Sequence, residues 1–381
     1  MTTTCVETRG WAGTVTMAAT VFTVVTAEML PVGLLTPMSE SLHATEGTAG
    51  LALTATGVTS AVAAPLLPLV LGRLDRRTVL GVLMVLLAVS AFAAAVTSSF
   101  LVLMIARVLM GVSIGGVWLF TVSLARRVVP EHAAGPATSL IFSGIGVASV
   151  LGIPAGTYAG ELAGWRWAFA GVGVLALMLA VALSIYLPSL PPERSVQLQD
   201  VGEVLRIHQV RVGLVLVTLI VTGHFAAYTY VRPLLEPHVA PTLIGAFLLA
   251  YGVAGVLGNF LTGTLEPHRA IMVIAAGIVV ATLAMPTVGT IPGVLVILVI
   301  WGLAYGGTTV STQAWGHAAA PDAPEASSAL LVGVFNGSIA LGAFTGGQVA
   351  DHFGTATVTS VPAVLASAAL VVLLANRRQR R

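Results

Sequence analysis

No lysine occurs in the 381 residues, so all 17 basic side chains other than histidine are arginines. That absence excludes chemistry built on a lysine amine, such as a Walker A phosphate loop, a retinal Schiff base or a pyridoxal site. Cysteine is nearly absent too. With Cys5 alone, neither an intrachain disulfide nor a cysteine-based metal site can form. We expect no metal and no cofactor. Charge is scarce as well: charged residues make up 8% of the chain, where a soluble globular protein carries about 25%. Hydrophobic residues reach 57% and the mean hydropathy is +0.98. Such a chain cannot cover a folded surface for water, and we read it as a polytopic membrane protein. The net charge of +2 and pI near 9.0 arise from where the arginines sit and point to no nucleic-acid partner. The N-terminus is not expected to be a cleavable leader, because its apolar run is too long and is broken by Glu28 and Pro31.

A hydrocarbon core of about 30 Å needs about 20 apolar residues per helix. Breaks at charge, proline and glycine clusters predict twelve spans, at 13–37, 46–71, 78–97, 100–125, 135–160, 165–188, 210–235, 241–264, 269–287, 291–316, 325–350 and 355–376. The longest interior polar stretch, PSLPPERSVQLQDVGEVLRIHQVR, divides them six plus six. The expected domains are therefore an N-terminal six-helix bundle at 13–188, a cytoplasmic linker at 189–209 and a C-terminal bundle at 210–376. Arginine placement orients the chain. With both termini inside, fourteen of the seventeen arginines fall on the inner side, Arg166 and Arg232 fall outside, and Arg107 lies within a span.

The halves resemble each other. A shift of 190 residues carries Gly152, Gly156 and Gly164 onto Gly342, Gly346 and Gly354, and a shift of 191 carries Gly72 and Asp75 onto Gly263 and Glu266. Two parallel six-helix repeats place a binding site near the membrane midplane. The predicted fold is all-α, with twelve transmembrane helices in two pseudo-symmetric bundles.

Four stretches carry candidate chemistry. VTAEMLPVGLL (25–35) sets the carboxylate of Glu28 inside an otherwise apolar span, where a charge costs at least ~2.5 kcal/mol. Glu28 therefore needs a partner or a proton, and Arg107 on span four is predicted at similar depth. VLGIPAGTYAGELAGWRWAF (150–169) spaces glycines every fourth residue around Pro154, which removes a backbone donor. This reads either as tight packing or as an interface that bends and re-packs. LGRLDRRTVL (71–80) is a short inner loop with Asp75 among arginines. TGHFAAYTYVRPLLEPH (222–238) carries His224 about 20 Å into span seven, with Tyr228 and Tyr230 further out. GVSIG (111–115) matches a serine nucleophile elbow only in spelling. That motif needs a strand–turn–helix context, so Gly111 and Gly115 read as small-residue helix packing. No H-E-x-x-H motif occurs and no loop could hold a signalling domain, so neither an intramembrane enzyme nor a receptor is expected.

AEMLPVGLL (27–35), VLGIPAG with GWRWAF, TGHFAAYTY and APDAPEASSALLVGVFNGSIALGAFTGGQV (320–349) together resemble the major facilitator superfamily in its twelve-span drug:proton antiporter branch. Within that branch the chain is most similar to the sugar efflux transporter family, which includes arabinose and isopropyl-thiogalactoside exporters. The resemblance implies alternating access, export and proton coupling. It matches Gly152, Pro154 and Gly156 to the span-five antiporter motif. Arg107 and Gly111 match a span-four motif associated with proton transfer. Gly72, Asp75, Arg76 and Arg77 match the inner-loop gating motif, which here lacks its second glycine.

The expected function is thus proton-coupled efflux of small molecules, sugars or sugar-like compounds or drugs, across a bacterial cytoplasmic membrane. Nucleosides or chloramphenicol-type antibiotics are the alternative cargo, and proton-coupled uptake is a rival direction. Glu28, Arg107 and His224 are the candidate proton-coupling residues. Trp118, Tyr228, Tyr230 and Tyr305 are the candidate cargo-cavity residues. The expected partners are a small-molecule substrate, protons and the lipid bilayer, with the protein monomeric.

Overall fold

The computed structural model describes residues 2–71, 74–124, 127–191 and 202–379, and among these there is no strand. Among the described residues, twelve helices are long and apolar enough to cross a membrane. They are α1 (Gly10–Ser41), α2 (Glu46–Leu67), α3 (Arg76–Val96), α4 (Phe100–Trp118), α5 (Ala134–Ala163), α6 (Trp165–Tyr186), α7 (His208–Tyr228), α8 (Pro241–Gly263), α9 (Pro267–Thr287), α10 (Ile291–Ala319), α11 (Ala326–Phe353) and α12 (Thr355–Asn376). In hydrocarbon every backbone polar group must be satisfied within the protein, which leaves the helix as the natural element for such runs. Large apolar side chains, among them Val96, Trp167, Phe260 and Val371, stand exposed on the helices, as suits lipid more than water.

Three helices depart from the continuous spans expected. In α5 a π-helical turn at Ala148–Gly152 precedes Pro154, whose missing N–H withdraws the partner of the Val150 carbonyl. The chain absorbs that loss by widening one turn. α7 ends at Tyr228, and a separate short helix, Val231–Leu235, follows. α10 is interrupted at Gly307, between helical stretches Ile291–Gly306 and Thr308–Ala319.

The chain divides into two compact units. One comprises Met1–Leu42 with Ala55–Arg194, the other His43–Thr54 with Ser195–Arg381. The start of α2 therefore packs with the second unit. In the first unit α1 packs on α4, α5 and α6, and α3 packs on α6. In the second unit α7 packs on α10, α11 and α12, and α9 packs on α12. The two patterns match helix for helix.

Glycines fix the registers. On α5, a β-carbon at Gly152, Gly156 or Gly160 would lie 2.1–2.3 Å from side-chain atoms of Thr26, Leu30 and Leu34 on α1. On α11, a β-carbon at Gly342 or Gly346 would meet the Thr222 and Ala226 carbonyls of α7 at 2.5 and 2.0 Å. Gly111 and Gly115 of α4 lie equally close to the Thr56 and Ser60 carbonyls of α2, and Gly302 and Gly306 of α10 to those of Tyr251 and Gly255 on α8. Gly164 and Gly354 end α5 and α11 with φ of 94° and 88°, a conformation only glycine adopts freely. These two glycines are 190 residues apart, the repeat read from sequence.

Candidate functional site

The first unit places an acidic and a basic side chain, Glu28 and Arg107, close together in its apolar interior. Pro31 lies within α1; lacking an N–H, it leaves the carbonyl four residues back, that of Ala27, without a helical donor. The Arg107 guanidinium, wholly buried on α4, fills the deficit. Its Nη1 donates to the Ala27 carbonyl at 2.8 Å and its Nη2 to the Glu28 carbonyl at 2.9 Å. Nη1 also lies 3.3 Å from Met110 Sδ. From α2, Thr56 Oγ1 donates to the Arg107 carbonyl at 3.1 Å. Glu28 is 3% exposed, and its Oε1 is buried without a hydrogen-bond partner among the described residues. The arginine thus grips the backbone of the turn that carries the carboxylate, and one carboxylate oxygen is left unengaged.

The second unit holds an aromatic cluster. His224 on α7 is buried, stacked on Tyr305 of α10 with centroids 3.4 Å apart and planes 6° apart. Tyr228 and Tyr251 lie near-parallel to it, 4.9 and 6.4 Å away. Phe225 and Trp301 meet it edge-on at 86° and 75°. Four polar atoms in this cluster, His224 Nδ1, the Tyr251 and Tyr305 hydroxyls and Trp301 Nε1, are buried without a hydrogen-bond partner among the described residues. Native interiors rarely leave such groups unpaired without a functional reason. The cluster also sits where α7 ends and just before α10 breaks.

The structure therefore brings Glu28 and Arg107 together in one unit, and His224, Tyr228 and Tyr305 together in the other. Tyr230 does not join that cluster: its hydroxyl donates to the Ala343 carbonyl of α11 at 2.9 Å. Trp118 is half-buried at the end of α4. Tyr251 and Trp301 were missed in the sequence reading. A signal existed, since Trp301 and Tyr305 are spaced i, i+4, like His224 and Tyr228, and so share a helix face. Nothing in the sequence tied Tyr251 to them, since that contact depends on how α8 packs.

Gly72 lies outside the described residues, but Asp75, Arg76 and Arg77, at the start of α3, form a clamp. Asp75 Oδ1 accepts from the amides of Arg77 and Leu190 at 2.8 and 3.3 Å, and Oδ2 accepts from the Ser189 hydroxyl. The Arg76 amide donates to the Leu190 carbonyl at 3.0 Å, and Arg77 donates to the carbonyls of Ser184 and Leu187. The Arg76 guanidinium lies 4.9 Å over the Phe120 ring. Burial pushes the Asp75 carboxyl up, but the bonds from Ser189 and from the amides of Arg77, Leu190 and Thr78 outweigh it and hold it below the usual range. The loop thus grips the chain as it leaves α6. Among the described residues no group of three or more His, Cys, Asp or Glu could hold a metal ion.

Among the described residues, twelve spans, with Glu28 and Arg107 buried in one unit and unpaired polar atoms in the other, make an arrangement that suits a membrane transporter. The chain belongs to the Major Facilitator Superfamily, whose family model matches residues 17–347. Solved structures share the fold at low identity. The nucleoside transporter NupG has a TM-score of 0.75 at 13% identity, over 95% of this chain and 97% of that one. A bacterial homolog to the human lysosomal transporter Spinster, in an inward-facing and unoccupied conformation, has a TM-score of 0.70 at 14% identity, over 96% and 94%. The human organic anion transporter MFSD10 has a TM-score of 0.68 at 15% identity, over 96% and 99%.

Proposed function

We propose that this transporter is a proton-coupled exporter of small molecules acting across a bacterial cytoplasmic membrane, with both termini and the central linker on the cytoplasmic side. The observation that carries this reading is Glu28, a buried carboxylate with a free oxygen beside an arginine committed to backbone carbonyls. A carboxylate so placed can take up a proton without dismantling the Arg107 bonds to α1. Protonation also removes the cost of a charge in hydrocarbon, so the α1–α4 contact is the natural place for a proton to be carried through a conformational change. His224 is the third proton-coupling group.

Cargo binds against Tyr228 and Tyr305, joined by Tyr251 and Trp301. Parallel rings carrying hydroxyl, indole and imidazole groups suit ring-bearing molecules with both flat faces and hydrogen-bonding edges. Sugars, sugar-like compounds and amphiphilic drugs meet that description. Nucleosides and chloramphenicol-type antibiotics are the second reading, favoured by the near-parallel stacking of His224 on Tyr305. The π turn before Pro154, flanked by Gly152 and Gly156, serves as the bending point, and the Asp75–Arg77 loop as the inner gate.

The test is transport in proteoliposomes under an imposed pH gradient, with sugars, nucleosides and amphiphilic drugs offered in parallel. Export driven by the gradient should vanish in Glu28→Gln while cargo binding persists. Unchanged gradient-driven transport by that variant would rule the mechanism out.

A further inference from the structure

We propose that the half of α10 following Gly307 carries a second cargo-binding station, where Gln313 and His317, set by Ser328 of α11, hydrogen-bond paired hydroxyl groups of an uncharged cargo. All three residues lie in the second unit. The sequence of α10 repeats a stripe at every fourth position, Trp301, Tyr305, Thr309, Gln313 and His317, and residues four apart are neighbours on a helix surface. The first two belong to the ring cluster around His224. The stripe therefore leads from the proposed cargo rings into the segment beyond the break. There it turns polar. Thr309 and His317 are exposed and Gln313 is half-buried. Counted from the end of the span at Ala319, Gln313 lies about 9 Å and Thr309 about 15 Å along the helix.

Packing fixes which way this stripe faces. A β-carbon on Gly307 would run into Thr262 Oγ1, so the break is pressed against α8. Trp315 follows Gln313 and precedes His317 by two residues, which puts it on the opposite side of the helix. It is buried. Its Nε1 donates to the Gln209 carbonyl of α7 at 2.8 Å, and its ring lies near-parallel to that of His268 on α9, 6.3 Å away. With that side anchored, Gln313 and His317 turn away from α7 and α9. Polar and ionisable side chains within a span face a protein interior or a water-filled space.

A hydrogen-bond chain orders the polar groups. Ser328 Oγ donates its single proton to Gln313 Oε1 at 3.1 Å. His317 Nε2 lies 2.9 Å from the same oxygen and must then be the donor. A neutral imidazole that donates from Nε2 keeps Nδ1 as an acceptor. Two ligand-binding groups are left over, the amide N–H groups of Gln313 and the Nδ1 of His317, neither of them hydrogen-bonded among the described residues. Neighbouring hydroxyls on a sugar or ribose ring match that pair, one accepting from the amide and the other donating to the imidazole. Glutamine and serine supply no charge to balance an ionised cargo. The rings of the aromatic cluster thus offer flat faces, and this station offers a polar edge. The inference rests on the small-molecule cargo reading above, but not on proton coupling or on the direction of transport.

The test measures equilibrium binding to the full chain in detergent, without a gradient. Two pairs of uncharged probes are compared, uridine with 2′,3′-dideoxyuridine and phenyl β-galactoside with its 3,4-dideoxy analogue. In at least one pair the diol should bind about tenfold more tightly than its deoxy partner, the equivalent of one lost hydrogen bond. Gln313→Leu should close that gap by weakening only the diol, with the melting temperature unchanged. Trp315→Phe, which loses the bond to α7, should lower the melting temperature and keep the gap. Exposure is checked with a charged, water-soluble methanethiosulfonate in a Cys5→Ser background. Gln313→Cys and Thr309→Cys should react at least tenfold faster than Val371→Cys on the exposed side of α12, and the diol probe should slow them. No diol preference in either pair, a gap that survives Gln313→Leu, or cysteines as slow as Val371→Cys would overturn the station. A probe weakened by Tyr305→Phe but indifferent to Gln313→Leu would sink the station and leave the ring site standing. A gap that closes as expected in a protein whose transport ignores the pH gradient would support the station and sink the coupling reading instead.

Discussion

Arg107 gives the Ala27 carbonyl the hydrogen bond that Pro31 withholds. The proline in α1 and the arginine in α4 are thus two parts of one device, which explains why a costly guanidinium is tolerated at a fully buried position. It also places the carboxylate of Glu28 one residue from the mended carbonyl.

This relationship predicts coupling between the two positions. Arg107→Ala should destabilise the protein by about 1–3 kcal/mol, because it strands a buried carbonyl. In a Pro31→Ala background, where the helix supplies its own donor, that cost should shrink by about 1 kcal/mol. Thermal unfolding of the four proteins of this double-mutant cycle checks it, and strict additivity would show that the two residues act independently.

The two glycine seams should respond differently to a single methyl group. At Gly156 the obstacle is the Leu30 side chain, which can turn aside, so Gly156→Ala should fold and transport with modest loss. Gly156→Leu should insert normally and fail to transport, because it blocks close approach of α5 to α1. At Gly346 the obstacle is the Ala226 carbonyl, so even Gly346→Ala should destabilise by about 1–3 kcal/mol. Equal tolerance at both sites would contradict the register described here.

Stability and cargo binding should part company in the aromatic cluster. The Tyr251 and Tyr305 hydroxyls make no hydrogen bond among the described residues, so converting either residue to Phe breaks none. Stability should stay within about 0.5 kcal/mol of the parent or rise. If these hydroxyls contact cargo, affinity should fall about tenfold, near 1.4 kcal/mol. Parallel unfolding and binding measurements decide the matter. A large stability loss with unchanged binding would make the cluster a packing core only.

Just before α3, Asp75 is held below the usual carboxylate range by bonds made only in the folded chain. A lowered folded value stabilises above the ordinary range and loses that contribution as pH falls through it. The clamp on residues 189–190 should therefore be indifferent to pH from neutrality down to about 4 and loosen only below. Asp75→Asn should mimic the loosened state at neutral pH, read as faster hydrogen exchange at the Leu190 amide. Unchanged exchange would show that the clamp is held by the arginines alone.

What the sequence determined by itself was the membrane, the helices and the repeat. Hydrocarbon forces each apolar run of sufficient length to satisfy its own backbone, so hydropathy alone places twelve spans. The spacing of Gly152, Gly156 and Gly164 against Gly342, Gly346 and Gly354 already carried the duplication, because the same seam is built twice. A buried Glu28 and a buried Arg107 were also visible, since charge inside an apolar run is rare enough to be conspicuous. What only the tertiary structure decided was the partner each polar group found. That Arg107 bonds the backbone around Glu28, that Tyr251 and Trp301 complete the stack around His224, and that Asp351 accepts from the Gly47 amide 304 residues earlier all depend on the rotation and crossing of helices. Those are set by many small packing contacts between spans, whose sum no local pattern of residues records.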